Sequence, residues 1–284
     1  MQTDATAASF RARSVMGNKM AGVKVEFASN PDETDEQIEE RLFDRFKIMD
    51  QLTTACLKGY ARSLIISGPP GLGKSYTVEQ RLAESDSKEI NHSIVKGYVR
   101  ATGLIKKLYS HREKGKVLVF DDADTIFYDD NSLNLLKTVC DTTKKRVVSW
   151  LSEGTLVDED TAERIPKKFE FQGTIIFITN LDFDTLIDKG HKLAPHLQAL
   201  VSRSHYIDLA MKTRRDYLIR IRQVIKQGLL KELTEDEQND VKHYIDTNSH
   251  KLRELSLRMA IKIGDIRKTS ENWEKVADVT CCKN

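Results

Sequence analysis

The sequence has no apolar run approaching the ~20 residues a membrane-spanning helix needs, and its opening MQTDATAASFRARS lacks the apolar core of a secretory signal. The expectation is a soluble cytoplasmic chain with no membrane partner. Charge of one sign is also scarce. Lys and Arg number 45 against 43 Asp and Glu, a formal net charge of +2, so no overall basic field argues for nucleic acid. Cysteine is sparse: Cys56, Cys140, Cys281 and Cys282 show no C-x-x-C pair and no Cys/His metal spacing. That spacing argues against a metal or disulfide framework and for reduced thiols. No internal repeat or low-complexity tract is visible. What remains is ordinary in bulk, 284 residues with 31% charged and 39% hydrophobic, enough for one large core or a large and a small one.

Residues 1–33 mix small, polar and charged residues without periodicity, which reads as a flexible arm and leaves open a subunit contact. From Thr34 the pattern changes. The stretch TDEQIEERLFDRFKIMDQLTTACLKGY carries Ile38, Leu42, Phe46, Met49, Leu52 and Cys56 at helical spacing after a capping-type start. Short β-rich runs follow, SLIIS (63–67), HSIV (92–95), KVLVF (116–120), TIIFIT (174–179) and HYIDL (205–209), separated by helical patterns. This alternation predicts an α/β domain over 34–209, a three-layer fold with a parallel sheet between helices. Beyond it, three helical patterns at about 213–231, 234–247 and 252–269 predict a small all-α domain over 210–284. The last places Leu252, Leu255, Met259, Ile263 and Ile266 on one stripe.

GPPGLGKS, residues 68–75, follows an apolar strand and precedes a helical pattern. In that context glycines let backbone N–H groups wrap phosphate oxygens, and the helix N-terminus adds its positive dipole. The candidate nucleotide-binding residues are therefore Gly68, Pro69, Pro70, Gly71, Leu72, Gly73, Lys74, Ser75 and Tyr76. Lys74 is expected on the β- and γ-phosphates of ATP or GTP, and the Ser75 hydroxyl on Mg²⁺. KVLVFDD ends an apolar strand in Asp121, the expected metal carboxylate, followed by Asp122, placed to act as general base on water. Asp124 is positioned to support that network. A second reading stands beside this one, in which DDAD caps the following helix. TIIFITN ends in Asn180, a residue able to bond the attacking water or the γ-phosphate, though Asn also favours turns.

In this order the elements resemble the AAA+ family of ring-forming P-loop ATPases, over roughly residues 34–270: GPPGLGKS is similar to Walker A, VLVFDD to Walker B, and ITN to sensor 1. The resemblance implies ATP and Mg²⁺ as cofactors and a homo-oligomeric ring, expected as a hexamer. LQALVSRSHYIDL (197–209) matches the segment in which an Arg precedes the fifth strand, which implies that Arg203 is an arginine finger acting on the neighbouring subunit's ATP. HKLRELSLRMAIKI is similar to the lid helix carrying sensor 2, and its Arg-Glu-Leu pattern favours Arg253 over Arg258.

Gly97, Tyr98 and Val99 stand where the family carries its pore loop, so Tyr98 is read either as a pore residue, gripping a polypeptide or stacking on bases, or as an ordinary core or strand-edge aromatic. Residues 146–173 hold two β-like pieces, RVVSW and KKFEF, resembling the hairpin of DNA-acting branches. Arg146, Trp150, Lys167, Lys168 and Phe169 are its candidates for DNA or nucleoprotein contact, against simple packing on a neighbour. The FDDAD strand and the stretch Leu133 to Asp141 look most like uncharacterised ATPases of tailed bacteriophages, which would place the chain in the host cytoplasm. One departure stands out. Asp122 replaces the usual Glu and is one methylene shorter, and a base misplaced by about 1 Å loses on the order of 10²-fold in rate. Slow but measurable hydrolysis is the expectation.

Overall fold

The computed structural model describes residues 32–86, 91–151, 154–158, 161–269 and 271–283. The expected arm, apart from its last two residues, lies outside them. Helix α1 (Asp35–Leu57) starts where Thr34 and Gln37 form a reciprocal capping box, and it buries Ile38, Leu42, Phe46 and Met49. Strand β1 (Ser63–Ser67) follows, then α2 (Lys74–Asp86), β2 (His92–Lys96), α3 (Ala101–Ser110), β3 (Val117–Asp121) and α4 (Asp130–Val139). An inserted segment carries β4 (Val147–Ser149), β5 (Leu156–Val157), β6 (Arg164–Ile165) and β7 (Lys168–Glu170). After it come β8 (Thr174–Thr179), α5 (Phe183–Asp188), α6 (Ala194–Val201) and β9 (His205–Asp208).

Five strands form one parallel sheet in the order β2-β3-β8-β1-β9. Strands β1, β3 and β8 are buried along their whole length, which is why they read as continuous apolar runs rather than alternating ones. Helices cover both faces. One core gathers Ile65, Leu118, Phe120, Ile175 and Phe177 with α3 to α6, and the other gathers Leu64, Ile66, Val119, Ile176 and Ile178 with α1 and α2. Adjacent strand residues thus face opposite layers, and the tips of β1, β3 and β8 meet at one end of the sheet.

The insert folds as expected from its two β-like pieces: β4 pairs antiparallel with β7, Val148 opposite Phe169, and a second small hairpin joins β5 to β6. Its apolar side is sealed inward. Val148, Phe169 and Phe171 belong to the first core, and the Phe169 ring meets Tyr109 edge-on at 5.3 Å.

The C-terminal region holds α7 (Arg214–Lys226), α8 (Glu235–Asn248), α9 (Leu257–Arg267) and α10 (Trp273–Cys281) around a third core. Two expectations need correction. The last predicted helix begins at Leu257 rather than 252, because Ser256 caps it by accepting from the Met259 N–H, while Leu252 pairs with Cys282 in an antiparallel bridge. The burial reading survives: Leu252, Met259 and Ile263 all enter the core, with Leu255 and Ile266 packed against it. The fourth helix, α10, went unread; Trp273, Ala277 and Cys281 give it an inward face at i, i+4, i+8. Helix α7 serves two cores at once, Tyr217 and Ile219 on the sheet side and Leu218, Ile221 and Ile225 on the helical side.

Candidate functional site

The loop between β1 and α2 turns through positive φ at Gly68 (150°), Gly71 (74°) and Gly73 (94°). L side chains rarely adopt these angles, so glycine supplies the conformation. At Gly71 space is limiting as well, since an added Cβ would lie 2.6 Å from the Ser256 Cβ. The Lys74 ammonium folds back into this loop, donating to the Gly68 carbonyl, to the Pro69 carbonyl at 2.8 Å and to Asn180 Oδ1 at 3.0 Å. Only 5% of Lys74 is exposed. Burial pushes its pKa down to about 8, against the nearby carboxylates of Asp122, Asp124 and Asp121, which favour the charged form.

Beside it, Ser75 Oγ donates to Asp121 Oδ1 at 2.7 Å. The other Asp121 oxygen, Oδ2, pairs with Lys96 Nζ at 3.1 Å. Asp122 is one of two described non-glycine residues with positive φ (56°), and its N–H donates to the Ile178 carbonyl at 2.9 Å. Asn180 Nδ2 donates to Asp122 Oδ1 at 2.7 Å, so Lys74, Asn180 and Asp122 form one hydrogen-bonded chain across the sheet tips. Asp124 accepts from Thr179 Oγ1 at 2.6 Å, and burial raises its carboxyl pKa. The cap reading of DDAD is only local: Asp124 opens a short 3-10 turn (Asp124–Phe127), whereas Asp129 caps α4.

Two predicted residues lie elsewhere. Arg203 stands just before β9, at the end of the sheet opposite the phosphate loop; its guanidinium donates to the Ala199 carbonyl at 2.7 Å, and its own carbonyl accepts from Ser63 at the start of β1. Arg253 precedes α9, and its N–H bonds the Cys281 carbonyl at 2.9 Å. Its neighbour in the choice, Arg258, is the second residue of α9. That helix docks on the phosphate loop through Leu257 N–H to the Gly71 carbonyl at 2.8 Å, and Arg258 charge opposes that of Lys74. Arg258 therefore lies on the helix that docks on the loop, whereas Arg253 precedes that helix. Tyr76 is 65% exposed at the start of α2.

Tyr98 is 69% exposed, which excludes the core-aromatic reading. It follows Gly97 (φ 83°), and its hydroxyl accepts from Arg100 Nε at 3.0 Å. In the insert, Arg146 is buried, donating to the Val139 and Gly173 carbonyls at 2.6 and 2.8 Å over the Phe171 ring, and Phe169 is buried too. Trp150 packs partly buried on the first core. Of the five residues expected to meet nucleic acid, only Lys167 and Lys168 present exposed side chains. Sequence reasoning missed Lys96. Its one signal was register, since the residue ending β2 lies opposite the one ending β3.

Residues 64–188, from β1 to the end of α5, match the model of the ATPase family associated with various cellular activities. The chain belongs to the AAA family. It is 39% identical over 265 residues to an uncharacterised 36.7 kDa protein of the nrdC-mobD intergenic region of Enterobacteria phage T4, covering 90% of this chain and 78% of that one. Among solved structures, a point mutant of Thermotoga maritima RuvB matches with TM-score 0.50 at 15% identity, over 85% of this chain and 70% of that chain, a likeness of fold. A further T. maritima RuvB structure, described as a Holliday junction branch migration motor, has TM-score 0.47 at 16% identity over 87% of this chain and 69% of that one. Among the described residues no helix is long and apolar enough to cross a membrane.

AAA proteins bind ATP, and the residues here fit Mg·ATP. Lys74 already holds three acceptors where phosphate oxygens would replace them. Ser75 and Asp121 offer two hard oxygens to a divalent ion. Among the described residues no cluster of three or more His, Cys, Asp or Glu is disposed to hold a metal, so a cation here would need phosphate oxygens and water to complete its shell.

Proposed function

We propose that this chain binds ATP with Mg²⁺ and hydrolyses it slowly, in a ring of about six subunits that remodels or threads a macromolecule. The carrying observation is the chain Lys74–Asn180–Asp122, which sets a cation, a sensor amide and a carboxylate on one line beside Asp121. Mg²⁺ would supply charge neutralisation between the β- and γ-phosphates. In this reading Lys74 exchanges its loop carbonyls for phosphate oxygens, freeing Asn180 to hold the attacking water. Asp122 accepts that water's proton. Ser75 and Asp121 are the metal's protein-side oxygens. Arg258, with Arg253 the lesser candidate, neutralises phosphate from the lid side of the same subunit.

Arg203 sits at the wrong end of the sheet to serve its own loop, and this supports its action in trans. An arginine delivered by a neighbour is worth on the order of 10³-fold or more in rate in P-loop systems. Turnover per chain should therefore rise with protein concentration as the ring assembles. A rate per chain independent of concentration, from a protein that sedimentation shows to be monomeric, would sink the trans part of the proposal.

For the macromolecule, exposure of Tyr98 and burial of Arg146 and Phe169 favour a polypeptide gripped at the Tyr98 loop over DNA held by the insert. Stimulation of hydrolysis by an unfolded polypeptide, lost in Tyr98→Ala, is the expected outcome. Stimulation by single-stranded DNA that drops when Lys167 and Lys168 are neutralised would instead establish the DNA or nucleoprotein reading, as a phage replication factor. A third reading, nucleotide-gated assembly with negligible turnover, predicts that Asp122→Asn keeps function while Lys74→Ala abolishes it.

A further inference from the structure

The residue that ends β2 bears directly on the metal carboxylate. In the parallel register of β2 and β3, Lys96 lies opposite Asp121. Both Asp121 oxygens are engaged, Oδ1 by the Ser75 hydroxyl at 2.7 Å and Oδ2 by the Lys96 ammonium at 3.1 Å. The two partners differ in freedom. The Asp121 side chain is 7% exposed and fixed at a strand tip, whereas that of Lys96 is 57% exposed. Lys96 also has a second anchor, Glu79 Oε1 on α2 at 2.7 Å, whose side chain is 43% exposed.

We infer that Lys96 is a resident counter-ion of the metal carboxylate, displaced toward Glu79 when Mg²⁺ arrives with the nucleotide, and that it sets the Mg²⁺ concentration at which the loaded site forms. This inference rests on the nucleotide reading above. A buried carboxylate without a cation is unfavourable, and Lys96 supplies one to Asp121. A divalent ion taking Asp121 as ligand would stand next to an ammonium, and like charges a few ångströms apart at a protein surface repel. One cation must leave. Glu79 keeps the departing ammonium paired, so the exchange strands no charge. Lys96 is thus a positioning residue: it acts on the metal's protein ligand and need not touch substrate.

The test titrates MgCl₂ against binding of a fluorescent ADP analogue to the full-length protein, which requires no hydrolysis. Lys96→Met should lower the half-saturating Mg²⁺ concentration on the order of threefold, the scale of a single solvent-screened ion pair. Affinity for the analogue in EDTA should stay unchanged. Glu79→Gln, which leaves Lys96 with Asp121 alone, should raise the Mg²⁺ requirement, and Lys96→Arg should resemble the parent. If Lys96→Met melts below the assay temperature, the Glu79→Gln titration decides alone. An unmoved or raised Mg²⁺ midpoint in Lys96→Met, or a lowered one in Glu79→Gln, overturns the inference while leaving nucleotide binding intact. Failure of the parent protein to bind the analogue at any Mg²⁺ concentration overturns the nucleotide reading itself.

Discussion

Asp122 carries both a chemical and a conformational demand. Its φ of 56° is costly for most L residues, by roughly 1 kcal/mol or more, but tolerable for Asp and Asn, whose short polar side chains bond locally. Asp122→Asn should therefore melt within a degree or two of the parent and bind ATP, yet release phosphate at least ~10²-fold more slowly, the low end of general-base contributions. Asp122→Ala should lose the same activity and also unfold at lower denaturant. Asp122→Glu should raise the rate; no change in either the Glu or the Asn variant would remove Asp122 from the base role.

Lys74 gives a pH signature. Burial holds its pKa near 8, below the ordinary lysine value, so the neutral form is favoured by folding. The fold therefore gains stability from this group as pH rises from about 8 toward 10.5. Nucleotide phosphates favour the charged form, so binding takes up a proton over that same window and affinity falls as pH rises through it. Calorimetry in buffers of different ionisation enthalpy at pH 8.5 should show proton uptake that vanishes near pH 7. At this scale the motifs were legible because Gly, Lys, Ser and Asp at fixed spacing have few other uses. The sign of φ at Asp122 and the partner of Asp121 were not, because each is set by a neighbouring strand.

Among the elements, helix α9 shows where sequence patterns stop informing. Its apolar stripe was readable from Leu252 onward, but the start of the helix was not, because burial can be satisfied in a bridge to Cys282 as well as in a helix. Ser256, the true cap, also crowds the phosphate loop. Gly71→Ala should cost about 1–3 kcal/mol by overpacking and weaken nucleotide binding. Adding Ser256→Gly should recover the crowding part of that loss but not the part due to φ, a split that a double-mutant cycle in denaturant melts can measure. In the insert, Arg146 and Phe169 are buried, as the packing alternative expects; residue type alone does not say which side chains of so short a hairpin face the core.

For the whole molecule, the parallel sheet and helical appendix were legible because buried strands are apolar throughout and lid helices are periodic. The position of Arg203 relative to its own phosphate loop depends on strand order, which no local pattern encodes. It leads to the broadest prediction: Arg203→Ala should assemble with ATP as the parent does, yet turn over on the order of 10³-fold more slowly. Mixing it with Lys74→Ala chains should partly restore activity, because some pairs then join an intact loop to an intact finger.

Helix α7 belongs to both the sheet domain and the lid, and it is tied to α1 by Arg41 to Asp216 at 3.1 Å, by Gln223 to the Glu39 carbonyl at 3.1 Å, and by Arg220 lying 3.4 Å over the Phe46 ring. A rod clamped at both ends transmits torque. Any change of angle between the C-terminal helices and the sheet would therefore have to bend residues 210–212 or carry α1 with it.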